Sequence, residues 1–208
     1  FIVIGSWKLA KSIFHILTIG PRTQNIAQAI YNYHHLERGP RVVAIGGGTG
    51  LSTILRGLKE YTSNLTAIVT VADDGGSSGR LRRELGILPP GDIRNCLVAL
   101  SEAEPLVTRL FQYRFSQGSG LDGHSFGNLF IVAMSGVTGG FAEAVHESSR
   151  VLAVRGEILP ATLDNITLTA QMENDSTVTG ETSISNTTSR IRTLSINPSD
   201  ALAHPSAV

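Results

Sequence analysis

A short β-branched run, Val42-Val43-Ala44-Ile45, ends in Gly46-Gly47-Gly48-Thr49-Gly50 and passes at once into Leu51, Ile54, Leu55 and Leu58 at helical spacing. Strand, glycine turn and helix in that order leave few architectures open. The next apolar run, Leu65 to Val71, lacks the polar alternation of a sheet with one wet face and reads as a parallel strand covered by helices. A helix between two such strands makes a right-handed βαβ crossover. The fold class is therefore α/β with a parallel sheet. An alternating stretch from Ile166 to Met172, a turn at Glu173 to Ser176 and a second run from Thr177 to Ile184 add a β-hairpin, the last element the sequence predicts.

Other elements follow from punctuation. Asp92 stands as N-cap of a helix over Ile93 to Leu100, and Pro105 opens a helix to Phe115 with Leu106, Leu110 and Phe111 inward. Apolar helices are expected over Asn128 to Val137 and Phe141 to Leu152. A chain of 208 residues, 41% hydrophobic and 16% charged, buries enough surface to need neither disulfides nor a structural metal. Its 17 basic and 17 acidic residues cancel, which argues against a nucleic-acid partner held by global charge. The lone Cys96 excludes an internal disulfide and a Cys-rich zinc site; beside Leu97, Val98 and Leu100 it reads as a buried, inert thiol.

Residues 1–40 read as an N-terminal extension to a domain over 41–208. Phe1 to Trp7 is apolar and meets Lys8 and Lys11, as the cytoplasmic end of a membrane helix would, yet seven residues fall short of the roughly 20 a span requires. An amphipathic helix from Trp7 to Ile19 accounts for the same residues. A further helical spacing, Ile26, Ala29, Ile30 and Tyr33, ends before Arg38-Gly39-Pro40.

Four segments carry candidate chemistry. The run Gly46, Gly47, Gly48, Thr49, Gly50 would let backbone N–H groups and a helix N-terminus meet a diphosphate. It fits neither usual fingerprint: Leu51 stands where a dinucleotide motif wants glycine, and no Lys-Ser or Lys-Thr follows to make a Walker loop. Tight helix-on-strand packing is its plainer explanation. The loop Asp73, Asp74, Gly75, Gly76, Ser77, Ser78, Gly79, Arg80 follows a buried strand, where open α/β sheets bind ligands. Its carboxylates suit Mg²⁺ bridging phosphates or a ribose, and a solvated turn is the bland alternative. Asp92, Arg94 and Asn95 surround a helix start and suit sugar hydroxyls and phosphates, unless Asp92 merely caps. His124, in Gly123-His124-Ser125-Phe126-Gly127-Asn128, is the one histidine of six in a glycine-flanked loop ahead of a helix, where it could bind phosphate or titrate near neutral pH. His15, His34, His35, His146 and His204 have no metal-ligand spacing.

Taken in order, Arg41 to Ser52, Thr70 to Arg82, Pro89 to Asn95, Leu110 to Phe115 and Gly123 to Asn128 resemble the gluconeogenesis factor family, which shares its fold with the 2-phospho-L-lactate transferases of deazaflavin cofactor biosynthesis. The resemblance extends through the hairpin to Ile184. It implies a Rossmann-like three-layer fold that binds a UDP-sugar of the UDP-N-acetylglucosamine type and regulates cell-wall precursor supply and cell shape during gluconeogenic growth. In the sister branch the same scaffold is a Mg²⁺-dependent phospholactyl transferase. Carried over, Gly46 to Gly50 would hold the diphosphate, and Asp73 and Asp74 the metal or ribose. Gly75, Ser77, Ser78, Asp92, Arg94, Asn95, His124, Ser125 and Asn128 would line the cleft. Further strands and a Gly-Pro-Gly-Ser-type loop would complete that cleft beyond Val208. The implied setting is cytoplasmic, with a cell-wall precursor enzyme as candidate partner, a homo-oligomer as candidate assembly and candidate membrane contact through residues 1–20. An NAD(P) oxidoreductase would want Gly-x-Gly-x-x-Gly, which this chain lacks.

Overall fold

The computed structural model describes residues 34–103 and 105–208. The helix expected over Trp7 to Ile19, and all but the end of that over Ile26 to Leu36, lie outside the described residues. Strand β1 (Val42–Gly46), helix α1 (Gly48–Leu58) and strand β2 (Leu65–Val69) form the expected crossover. The two strands run parallel, from Val42 opposite Leu65 to Gly46 opposite Val69. Strand β3 (Glu157–Pro160) pairs with the other edge of β2, also parallel, so the order is β1-β2-β3. Helices α2 (Gly76–Leu85), α3 (Gly91–Leu100), α4 (Pro105–Gln112), α5 (Phe126–Thr138) and α6 (Phe141–Val151) fill the long connection. Strands β4 (Thr167–Met172), β5 (Thr177–Thr179) and β6 (Ile191–Asn197) make a second, antiparallel sheet in the order β5-β4-β6, with the short helix α7 (Glu181–Ser185) after β5.

The strand pattern has a topological cause. Central β2 has neighbours on both edges and buries Leu65, Ala67, Ile68 and Val69, hence its unbroken apolar run. Edge strand β1 turns Val42 and Ala44 into the main core, while Val43 and Ile45 on its other face are 60% and 73% exposed. The core itself is built around α3, whose Ile93, Cys96, Leu97, Ala99 and Leu100 are fully buried against residues of α1, β2, β3 and α5. Burial pushes the Cys96 thiol up to about 12, so it is the inert thiol expected.

A second cluster, Val71, Ala72, Leu88 and Ile166, joins the two sheets. Arg82 of α2 reinforces that junction by donating to the carbonyls of Ala72 and Ile166. It bridges elements through these contacts.

Three expectations need correction. Helix α4 stops at Gln112, because Tyr113 and Phe115 turn back to bond the backbone of Phe126 and His124. Leu106 (65%) and Leu110 (44%) are exposed, and of the three expected inward residues only Phe111 enters the core. It stacks edge-on to Phe126 at 5.8 Å and tilted to Phe130 at 4.9 Å. The second hairpin strand ends at Thr179, where Gly180, at φ +94°, turns the chain into α7. Strands β3 and β6 were not expected at all. Among the described residues no single helix is long and apolar enough to cross a membrane; α5 and α6 reach that length only as a pair bent by 118°.

Phe111→Ala is expected to cost about 3–5 kcal/mol, because it empties the centre of this aromatic cluster. Chemical denaturation monitored by circular dichroism checks it.

Candidate functional site

Strands β1 and β2 end side by side, and four helices begin around them: α1 after Gly47, α2 after Gly75, α3 after Pro90 and α5 after Ser125. Neither α1 nor α2 has a side-chain cap or an acidic residue in its first turn. Their free N–H groups and dipoles make this edge attractive to anions.

The glycine run divides into different jobs. Gly46 closes β1, and its carbonyl accepts the Thr70 amide at 2.9 Å. A Cβ on Gly47 would lie 2.1 Å from Thr70 Oγ1 and 2.8 Å from Asp92 Oδ2, so this glycine serves packing. Gly48 has φ +62°, the left-handed region that side chains disfavour. Thr49 is exposed, and its carbonyl accepts the hydroxyls of Ser52 and Thr53. Gly50 is different. Beyond its chain neighbours and its own helix backbone, nothing lies within 4 Å of where its Cβ would be, so packing gives no reason for a glycine there.

Carboxylates gather beside this turn. Asp73 Oδ1 accepts the Gly75 amide at 2.9 Å. Asp74 is turned the other way: its Oδ1 accepts both the amide (2.9 Å) and the hydroxyl (2.7 Å) of Thr182 in α7. Burial raises the Asp74 pKa, but the Thr182 hydrogen bonds outweigh it and hold the group below the usual carboxylate range. Asp92 does not cap α3, as expected from sequence, because Pro90 occupies that place. Its carboxylate instead lies beside Gly47 and Gly48. Burial, and then the negative charge of Asp73, raise the Asp92 pKa against the pull of the Gly48 amide and of Arg94. Glu181 joins the group: burial and the charges of Asp73, Asp92 and Asp74 raise its pKa in turn. Among the described residues no three His, Cys, Asp or Glu groups are placed to hold a metal ion.

The other flank is a buried polar network. Ser77 Oγ lies 2.9 Å from His124 Nδ1 and accepts from Asn128 Nδ2 at 3.0 Å. Ser77, while accepting from Asn128, keeps its own proton and a second lone pair for the contact with Nδ1. His124, 3% exposed, is held below the usual histidine range by burial and by Arg80 and Arg114, against Glu84. Ser78 accepts the Gly91 amide at 3.1 Å, which ties α2 to the start of α3. Ser125 caps α5 by accepting the Asn128 amide, and Arg94 donates to the same hydroxyl and to Asn95 Oδ1. Asn128 Oδ1 and Arg94 Nε are buried without a partner.

The structure thus draws Gly47, Gly48, Asp73 and Asp92 into one cluster and Ser77, His124, Ser125, Asn128, Arg94 and Asn95 into another, with α3 between them. Asp74 and Gly75 face α7 instead. Sequence reasoning missed Glu181, Thr182 and Arg114. Glu181 and Thr182 lie more than 100 residues from the acidic loop, and only the turn signal at Gly180 marked a new element there. None of the predicted site residues lines the cavity between α6, β3 and the C-terminal turn, of about 1290 Å³.

The family model described as 2-phospho-L-lactate transferase CofD matches residues 42–208. The chain belongs to the CofD family. Within it, this CofD-family chain is similar to the gluconeogenesis factor of Bacillus subtilis, 56% identical over 159 residues, covering 76% of this chain and 50% of that one. The gluconeogenesis factor of Halalkalibacterium halodurans is 57% identical over 159 residues, with 76% and 49% covered. A crystal structure of a Bacillus halodurans protein superposes with a TM-score of 0.79 at 54% identity, over 82% of this chain and 55% of that one. The chain therefore spans about half the length of the curated relatives it matches. The Rossmann-like α/β fold and the relation to the gluconeogenesis factors are as the motifs implied.

Two outcomes are expected. Ser77→Ala strands both His124 Nδ1 and Asn128 Nδ2 in a buried setting and should destabilise by about 1–3 kcal/mol in urea titrations. Asp92→Asn should raise the melting temperature at neutral pH. A carboxyl whose pKa is raised by folding loses stability as pH climbs from its unfolded pKa through its folded one. The advantage of the Asn variant should therefore vanish below about pH 3.9, which calorimetric melts across pH 3 to 7 would show.

Proposed function

We propose that the carboxyl edge of the parallel sheet binds the diphosphate of a nucleotide-sugar of the UDP-N-acetylglucosamine type. The chain would act as a regulatory binding protein for cell-wall precursor supply and cell shape during gluconeogenic growth, exerted on a cell-wall precursor enzyme. Gly50 carries this reading. It is an exposed glycine in the first turn of an uncapped helix with empty space where a side chain would stand, which suits close approach of a phosphate to the Thr49 and Gly50 amides. That the relatives are gluconeogenesis factors supports the regulatory branch.

The charges beside the turn set a condition. The Asp92 carboxylate lies beside Gly47 and Gly48 and would repel a diphosphate. A divalent cation relieves that conflict, and Mg²⁺ typically takes one or two carboxylates and completes its shell with phosphate oxygens and water. Asp73 and Asp92 fit this role better than the pair Asp73 and Asp74, since Asp74 is engaged by Thr182. Bound there, Mg²⁺ would neutralise phosphate charge. The convergence of Glu181 on the same carboxylates also suits the second reading, a Mg²⁺-dependent phospholactyl transferase acting on a deazaflavin.

Gly50→Ala separates packing from binding. Helical backbone accepts alanine, so the substitution should stabilise the chain by about 0.4–1 kcal/mol. Calorimetric titration with UDP-N-acetylglucosamine and Mg²⁺ should nonetheless show affinity falling about tenfold or more, a loss of some 1.4 kcal/mol. Unchanged affinity would show that no phosphate approaches this turn. Phospholactyl transfer in a parallel assay, without UDP-sugar binding, would favour the enzyme.

A further inference from the structure

The loop ahead of α5 is gripped by three arginines from three different segments. Arg80 of α2 donates to the Asp122 carbonyl at 2.6 Å. Arg114, just beyond α4, donates to the Gly123 carbonyl, and Arg94 of α3 donates to the Ser125 hydroxyl. Three full charges thus fall on a four-residue stretch whose acceptors are neutral. Among the described residues none of the three guanidiniums has a carboxylate within 4.0 Å. Arg114 also disfavours the charge on Arg94. Arg94 is held below the usual arginine range by burial and then by Arg114, with Asp92 and Asp73 opposing.

Clamping a loop does not require this arrangement. Carbonyl and hydroxyl acceptors are satisfied by neutral donors, whereas crowding unpaired guanidiniums costs Coulomb energy that only a counter-charge returns. Each guanidinium has five N–H donors, and the bonds named use one or two of them. Arg94 Nε is buried without any partner. Helix α5, thirteen residues long, begins at Phe126 beside the same loop, and its dipole adds positive potential there.

We infer that Arg80, Arg94 and Arg114 form a binding site for a phosphate monoester dianion at the Asp122–Ser125 loop, distinct from the diphosphate position at Thr49 and Gly50. Guanidinium forks match phosphate oxygens bidentately, which suits this choice of ligand. The inference goes beyond the nucleotide-sugar reading and stands without it. If both hold, the cleft has two anionic seats, with Asp92 and Arg94 on the first turns of α3 separating them.

Inorganic phosphate is the probe, used on the 208-residue chain. It should raise the melting temperature saturably and protect Arg80, Arg94 and Arg114 from phenylglyoxal relative to exposed Arg56, as read by peptide mass spectrometry. Arg80→Gln with Arg114→Gln should weaken the apparent phosphate affinity about tenfold or more, while Arg56→Gln, at an exposed position outside both sites, leaves it unchanged. Equal protection of Arg56, unaltered affinity in the double variant, or an equal loss in Arg56→Gln would each overturn the proposal. If the double variant does not fold, the protection pattern of the unaltered chain decides. UDP-sugar binding failing while phosphate still protects the arginines would count against the nucleotide-sugar reading alone.

Discussion

Helix α3 is enclosed by the core along nearly its whole length, and the site is organised by that enclosure. Ile93, Cys96, Leu97, Ala99 and Leu100 leave no wet stripe, and each large aliphatic side chain so buried contributes roughly 1.5–3 kcal/mol. Such a helix cannot slide without opening the core. Its N-terminal turn is therefore a fixed platform, and three loops are measured from it: Gly91 binds Ser78, Asp92 lies against Gly47 and Gly48, and Arg94 binds Ser125.

On that platform, opposite charges two residues apart point to different neighbours. Burial works against both, raising the Asp92 pKa and lowering that of Arg94. Partial desolvation of both signs in one cleft is costly for an unliganded protein, and it concentrates acid on the glycine-turn side and base on the His124 side. A ligand carrying its own charge, or a cation with it, recovers what the apolar surroundings withhold.

Much of this was legible in sequence where local rules agree. Val42 to Leu58 shows strand, glycine and helix without ambiguity, and His124 stood out by its loop. The failures are equally local. Leu106 and Leu110 have the right spacing for a buried face, but no element among the described residues covers them. Asp92 sits where a cap belongs, yet Pro90 starts the helix and frees its carboxylate for Gly48. Strand β3 is only Glu157–Pro160, too short for any period to register. The alternation of Leu194, Ser195 and Ile196 was a readable signal for β6, whose pairing with β4 carries a register shift near Gln171. Glu181 and Arg114 reach the cleft by tertiary folding alone, which no single window of sequence encodes.

The contact of Asp74 with Thr182 ties the acidic loop to the antiparallel sheet by one carboxylate and two donors. A group that claimed Asp74 Oδ1 would compete with those donors, and α7 would lose its anchor on the loop. The two oxygens of this carboxylate therefore have unequal duties: Oδ1 seats the small sheet, and Oδ2 is the one left over.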